Sequence, residues 1–181
     1  EACTLELAPT ASTTATLALG DALAISTLEL RGFGKKDFAK LHPGGMLGKR
    51  LLLTVDKISH KGSDMPLVPH KMSIRETLFM ISEKGLGLTG VLDDNGKIIG
   101  VITDGDIPRG LEELGNGILD APAESIMTAQ PKWVISSTLA ISALETMEEH
   151  SITSLFVYSE KNTNTPYGVV HIHDILDIGL K

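Results

Sequence analysis

Two eight-residue segments carry a polar side chain and a carboxylate three positions apart, at the same point of a repeated pattern. Gly100-Val101-Ile102-Thr103-Asp104-Gly105-Asp106-Ile107 returns as Gly168-Val169-Val170-His171-Ile172-His173-Asp174-Ile175. Each segment starts as an apolar strand-like run and ends where a helix begins. A strand-to-helix junction offers backbone N–H groups and the positive end of a helix dipole, which suit a phosphate, and a carboxylate one turn on accepts both hydroxyls of a ribose. Thr103 and Asp106 have that arrangement. The second copy keeps Asp174 but replaces the hydroxyl with His171, which donates, accepts or carries charge near neutral pH, so the two clefts should differ. A plain alternative is that both aspartates only complement helix dipoles and Thr103 only suits a strand end; recurrence at matched positions favours the ligand role. His171 and His173 form a His-x-His without an obvious third ligand, so no metal site is expected. His60, His70 and His150 stand alone among polar neighbours and are read as solvated surface.

The elements that must position these residues are legible in outline. Ser12-Thr13-Thr14 supplies helix caps, and Leu17, Leu19, Ala22, Leu23, Ile25, Leu28 and Leu30 recur at helical spacing, predicting a helix from about Thr13 to Arg31. Its apolar residues spread too widely for one stripe, so it expects neighbours on several sides. Asp37-Phe38-Ala39 allows a short helical turn, and His42-Pro43-Gly44-Gly45 forces a loop. From Leu51 the pattern becomes linker-like, with a boundary near residues 50 to 56. Ser73 and Glu76 form a capping box for a helix that ends at Gly85. Leu88 to Leu92 and Lys97 to Ile102 form a hairpin around Asp93-Asp94-Asn95-Gly96. The second copy repeats the order: Ile126-Met127-Thr128, a strand near Lys132 to Ile135, a helix through Leu144 and Met147, two strands, and a last helix. Gly100 to Gly168 is a spacing of 68 residues, Leu78 to Leu144 one of 66. Neither half-size β-α-β-β-α unit buries its sheet alone, so the copies should pack around a pseudo-twofold axis.

Composition narrows the function. The 181 residues hold 16 basic and 23 acidic side chains, a net charge of −7, with no basic cluster beyond Lys35-Lys36 or Lys49-Arg50. Nucleic acid is thus not an expected partner. Cys3 stands alone, which excludes an intrachain disulfide framework and fits a reducing cytoplasm. The longest apolar stretch, around Leu17 to Leu30, is interrupted by Gly20, Asp21 and Glu29 and is too polar to span a bilayer. The first residue is Glu1 and no signal pattern follows, so the chain reads as the tail of a longer protein.

The doubled Gly-Val-Ile-Thr-Asp-Gly-Asp and Gly-Val-Val-His-Ile-His-Asp segments, with Ile58 and Ile126-Met127-Thr128, resemble a tandem pair of CBS domains. Upstream, Glu1-Ala2-Cys3, Leu7-Ala8-Pro9-Thr10, Ser12-Thr13-Thr14-Ala15-Thr16, Gly20-Asp21-Ala22-Leu23, Arg31-Gly32-Phe33, Asp37-Phe38-Ala39 and His42-Pro43-Gly44-Gly45-Met46-Leu47-Gly48 occur in an ordered series. Together they resemble the C-terminal part of bacterial D-arabinose-5-phosphate isomerases, sugar isomerase (SIS) proteins with appended CBS domains. The resemblance implies a mixed α/β (α+β) fold: a tandem CBS-domain pair preceded by the helical remnant of an SIS domain, with boundaries at 1–52, 56–114 and 122–181. It implies a parent enzyme that interconverts D-ribulose 5-phosphate and D-arabinose 5-phosphate towards Kdo and lipopolysaccharide. Such isomerisation moves a proton between C1 and C2 through an enediol.

Of the family's four catalytic positions, Glu1 matches the second glutamate and His42 the histidine of His-Pro-Gly-Gly. His42 then has ring opening or proton relay as its role, or else only caps the glycine turn. The other two positions are expected before Glu1, so this chain alone is expected to be inactive. No cofactor is required. The CBS pair implies a nucleotide or nucleotide-sugar effector, AMP, ATP or CMP-Kdo, with Asp106 or Asp174 on the ribose, His171, His173, Lys71 or Arg109 near its anionic end, and Thr103 and Thr153 completing the effector-binding set. The alternative is a ligand-free CBS module that holds a homo-oligomer, dimer or tetramer, together.

Overall fold

Pairing of the two copies is closer than their sequence order indicates, because each lends its first strand to the other. The computed structural model describes residues 1–5, 7–42 and 44–180, side chains at 36, 47 and 116 excepted. Pro43 of the His-Pro-Gly-Gly segment therefore lies outside the described residues. The chain divides into two units, Glu1–Leu52 and Leu53–Lys181.

The first unit is helical: α1 (Ala11–Leu30), α2 (Lys35–Leu41) and α3 (Met46–Leu52). The Glu1 carboxylate caps the N-terminus of α1, its Oε2 accepting from the Thr10 N–H at 2.6 Å and the Ser12 N–H at 3.3 Å. Apolar residues lie on all sides of α1 and none of its residues is buried. α3 was not anticipated from the sequence: the chain turns at Gly44-Gly45 and the Gly45 carbonyl accepts the first helical bond, from the Lys49 N–H, at 3.0 Å. Lys49 and Arg50 then occupy its last turn, where cations complement the dipole.

In the second unit, repeat one comprises β1 (His60–Lys61), β2 (Leu67–Pro69), α4 (Ile74–Lys84), β3 (Leu88–Leu92), β4 (Ile98–Thr103) and α5 (Asp106–Leu114). Repeat two comprises β5 (Thr128–Ala129), β6 (Trp133–Ile135), α6 (Ala140–His150), β7 (Ser154–Tyr158), β8 (Gly168–His171) and α7 (Ile172–Asp177). The Ser73–Glu76 capping box forms as expected, and Gly85 closes α4 in the left-handed conformation at φ +68°.

The sheets run β2-β3-β4-β5 and β1-β8-β7-β6. β1 therefore pairs with β8 of repeat two, and β5 with β4 of repeat one. The cores follow the exchange. Val55, just before β1, is fully buried with Leu144, Met147, Leu155 and Ile175, whereas Ala123, just before β5, is buried with Ile74, Val91 and Ile102. Burying a valine contributes about 1.5–3 kcal/mol, so the linker is held by repeat two. Two- and three-residue strands carry no readable alternation, which is why β1 and β5 escape sequence analysis.

A third cluster, Leu88, Ile98, Phe156, Tyr158 and Val169, joins strands of both repeats. Its tightest point is Gly90, where an added Cβ would stand 2.9 Å from Cζ of Phe156 and 2.8 Å from Leu67. Gly90 and Phe156 occupy equivalent positions of β3 and β7, so a small residue in one copy receives the ring of the other.

Candidate functional site

Thr103 ends β4 and Asp106 begins α5, so the turn between them folds the carboxylate back on the strand. Asp106 Oδ2 accepts from the Thr103 N–H at 2.7 Å and its Oγ1–H at 2.8 Å. Oδ1 accepts from the Arg109 guanidinium and, at 3.3 Å, from the Thr128 hydroxyl on the exchanged strand β5. Asp106 is only 3% exposed, and every acceptor direction meets a donor. The structural role weighed for this carboxylate is real: it ties β4, α5 and β5 together.

The same residues face a cleft of about 590 Å³ between the repeats. Thr103, Asp106, Arg109 and Thr128 form one wall; Gln130, Lys132, His150, Ser151, Thr153 and Ser154 form the other. Leu88, Val101, Ile152 and Phe156 supply apolar surface. With Asp106 neutralised by Arg109, the Lys132 and His150 side chains have no hydrogen-bond or ion-pair partner among the described residues, so the Lys132 ammonium leaves the cleft with uncommitted positive charge. Ser154 Oγ is buried and also lacks a partner, a state that polar groups in folded proteins seldom keep. The arrangement suits an anionic molecule with a flat apolar part and several hydroxyls.

His171 and Asp174 mirror Thr103 and Asp106 but serve a separate cluster. Asp174 Oδ2 accepts from the His171 N–H at 2.8 Å, and Oδ1 lies 3.1 Å from Nε2 of His60. His60 on β1 thus occupies the place that Thr128 on β5 has in repeat one. His171 Nδ1 accepts from the His173 N–H at 3.2 Å, and the two rings are 4.9 Å apart. Burial, helped by the neighbouring His173, holds the His171 imidazole below its ordinary pKa, with Asp174 opposing and His60 reinforcing the shift. Among the described residues no group of three or more His, Cys, Asp or Glu is arranged to hold a metal ion.

The expected effector set is therefore split. Thr103, Asp106, Arg109 and Thr153 share the cleft; His171, His173 and Asp174 gather around His60 instead. Lys71 joins neither: its Nζ pairs with Asp94 at the hairpin tip at 3.1 Å, beyond the opposite end of β4 from Thr103. The reading of lone histidines as solvated surface is corrected for two of the three: His60 pairs with Asp174, and His70 is mostly buried with Nδ1 3.2 Å from the Leu92 carbonyl. His150 is exposed, as read, and lines the cleft. Gln130, Lys132, Ser151 and Ser154 were missed because loops and strand ends carry no periodicity; aligning the two copies would have shown Thr128 opposite His60.

In the helical unit, Glu1 is exposed and its carboxyl is lowered to about 2 by hydrogen bonds from Ser12 and Thr10. His42 caps the C-terminus of α2, its ring stacked 4.5 Å from that of Phe38 and its Nδ1 3.3 Å from the Phe38 carbonyl.

Paired repeats that exchange leading strands around a polar cleft define the fold class, and the chain belongs to the CBS domain family, whose pattern matches residues 57–113 and 123–181. Over nearly its whole length it is also similar to arabinose 5-phosphate isomerases KdsD. The Pseudomonas aeruginosa protein is 46% identical and the Escherichia coli K12 protein 43%, each over 180 residues, 99% of this chain and 54% of the relative. The chain thus spans about half the length of the curated relatives it matches. Among solved structures, a CBS domain protein from Pyrobaculum aerophilum complexed with AMP matches with TM-score 0.57 and 23% identity, covering 67% of this chain and 89% of that one. The CBS domain of a bacterial CNNM/CorC family Mg2+ transporter in complex with ATP matches with TM-score 0.61 and 18% identity, covering 74% and 90%. These likenesses bear on the fold. No helix among the described residues is long and apolar enough to cross a membrane.

Proposed function

We propose that Leu53–Lys181 is the effector-sensing module of a cytoplasmic arabinose-5-phosphate isomerase of Kdo and lipopolysaccharide synthesis, and that Glu1–Leu52 carries part of its SIS catalytic domain. The observation that carries the reading is the cleft that joins Thr103, Asp106, Arg109 and Thr153 beside the uncommitted bases Lys132 and His150. The effector is a nucleotide or nucleotide-sugar. CMP-Kdo joins a ribose to an acidic sugar and, as a later product, suits feedback on a committed step; AMP and ATP are the simpler ligands. On binding, Arg109, which is largely exposed, swings from Asp106 to the phosphate, and the freed Oδ1 accepts ribose hydroxyls. Affinity and enzyme bias are then linked reciprocally. His171, His173 and Asp174 are assigned to the second, non-equivalent cleft.

In the parent enzyme Glu1 and His42 belong to the machinery that moves protons on the sugar phosphate. With its carboxyl at about 2, Glu1 is a weak base in this chain, in keeping with a catalytic set that works only when complete. Homo-oligomerisation through the apolar α1 accompanies this role.

Isothermal titration of the whole chain with CMP-Kdo, CMP, AMP and ATP tests the sensor reading: one of them binds with one site per chain, and Arg109→Met weakens it at least tenfold. Binding of none removes the reading. A second reading, a ligand-free structural module, is favoured by the complete internal pairing of Asp106. It predicts that Asp106→Ala alters stability and assembly while no metabolite changes either.

A further inference from the structure

Two positions in the described chain hold a residue other than glycine in the left-handed backbone region: Gln130 at φ +56° and Ser151 at φ +52°. Both line the cleft. Their equivalents in the first repeat are Gly62, which stands two residues after His60 as Gln130 stands two after Thr128, and Gly85, which closes α4 as Ser151 closes α6. Gly62 and Gly85 adopt the same conformation, φ +58° and +68°, and a Cβ at either would meet nothing within 4 Å. The backbone of each repeat thus requires left-handed geometry at these two points, where glycine is the unstrained choice.

Repeat two departs from glycine at both points, and only there does the wall face the cleft. Strained residues of this kind persist where a side chain has work to do. Both side chains are exposed on the cleft wall, and neither the Gln130 amide nor the Ser151 hydroxyl is tied to another described residue, so both are available to a ligand. An amide offers donors and an acceptor at once, a hydroxyl one of each, and apolar Leu88, Val101, Ile152 and Phe156 lie in the same cleft.

We propose that Gln130 and Ser151 are the specificity-determining residues of this cleft, reading the polar edge of a planar heterocycle whose faces rest on the apolar residues. The inference depends on the cleft being the effector site. It assigns ligand discrimination to the loop-and-cap wall of repeat two, and the anionic end to Arg109, Lys132 and His150.

Restoring glycine separates the two roles of these positions. In the double variant Gln130→Gly, Ser151→Gly the melting temperature rises by about 2–5 °C as left-handed strain is relieved. Calorimetric titration of the whole chain with AMP and with CMP gives, for the wild type, affinities at least tenfold apart, a gap that the double variant narrows to within about threefold. Arg109→Met weakens both nucleotides equally and leaves their ratio unchanged. A double variant that is more stable yet keeps the wild-type ratio overturns the inference alone, as does a wild type that does not distinguish the two bases. A wild type that binds neither AMP nor CMP overturns the inference, and the effector reading beneath it falls as well only when CMP-Kdo and ATP also fail to bind.

Discussion

Asp106 and Asp174 sit at equivalent positions and hold their repeats together in different chemical languages. Asp106 gathers two threonines and an arginine; Asp174 gathers a backbone N–H and His60. Asp106→Ala strips the Thr103 and Thr128 donors of their acceptor at a nearly buried point, and the expected loss is about 2–4 kcal/mol, read by urea unfolding. Most of it comes from the threonine and backbone bonds, since the exposed Arg109 adds little. His171 makes stability depend on pH. Its pKa is lowered in the folded chain, so above the ordinary value of about 6.5 both states are neutral and nothing changes. As pH falls below that value the unfolded chain binds protons first, and folding is weakened until the folded pKa is passed. His171→Thr, which copies Thr103, should flatten the decline of melting temperature between pH 7 and pH 5; an unchanged decline would assign it to other groups. The Thr-x-x-Asp and His-x-x-Asp spacings were legible because they are local. That Asp174 meets His60, 114 residues away, was not, since contacts at that distance leave no mark on spacing.

At the scale of elements, the helices and hairpins followed their caps and turns, and the exchange of β1 and β5 did not. α4 carries its stop and start in Ser73, Glu76 and Gly85, and the β3–β4 hairpin carries Asp93 and Gly96 at its tip. The exchange is decided by which core accepts Val55 and Ala123, a tertiary preference invisible to patterns of period two or 3.6. The opposition of Gly90 and Phe156 is decided the same way. Gly90→Ala drives a methyl against Leu67 and the Phe156 ring, and the expected cost is about 1–3 kcal/mol in thermal or urea unfolding. Because Phe156 also lines the cleft, the same variant should weaken nucleotide binding. Full affinity together with full stability would show that the two sheets have room to part.

At the scale of the molecule, α1 stands out for what covers none of it. Leu17, Leu19, Leu23 and Ile25 are each more than half exposed, and a helix apolar on every side is ordinarily a buried one. Light scattering should find the chain as a homo-oligomer at micromolar concentration, and Leu19→Glu with Leu23→Glu should return it to a monomer; a monomeric wild type would remove the assembly role of α1. The sequence showed this helix and its need for neighbours but not their identity, because an all-round apolar surface has no preferred direction.

The central claim is that one cleft, bounded by Asp106 on one wall and Gln130 to Ser154 on the other, receives an anionic nucleotide. Its most direct test is amide chemical-shift mapping of the isotopically labelled chain titrated with CMP-Kdo, CMP, AMP and ATP in turn. Saturating shifts confined to residues 103–109, 128–132 and 150–154 are predicted for at least one of the four. Shifts centred on His60 and 171–174 instead, or no saturating shift with any of them, would contradict the account.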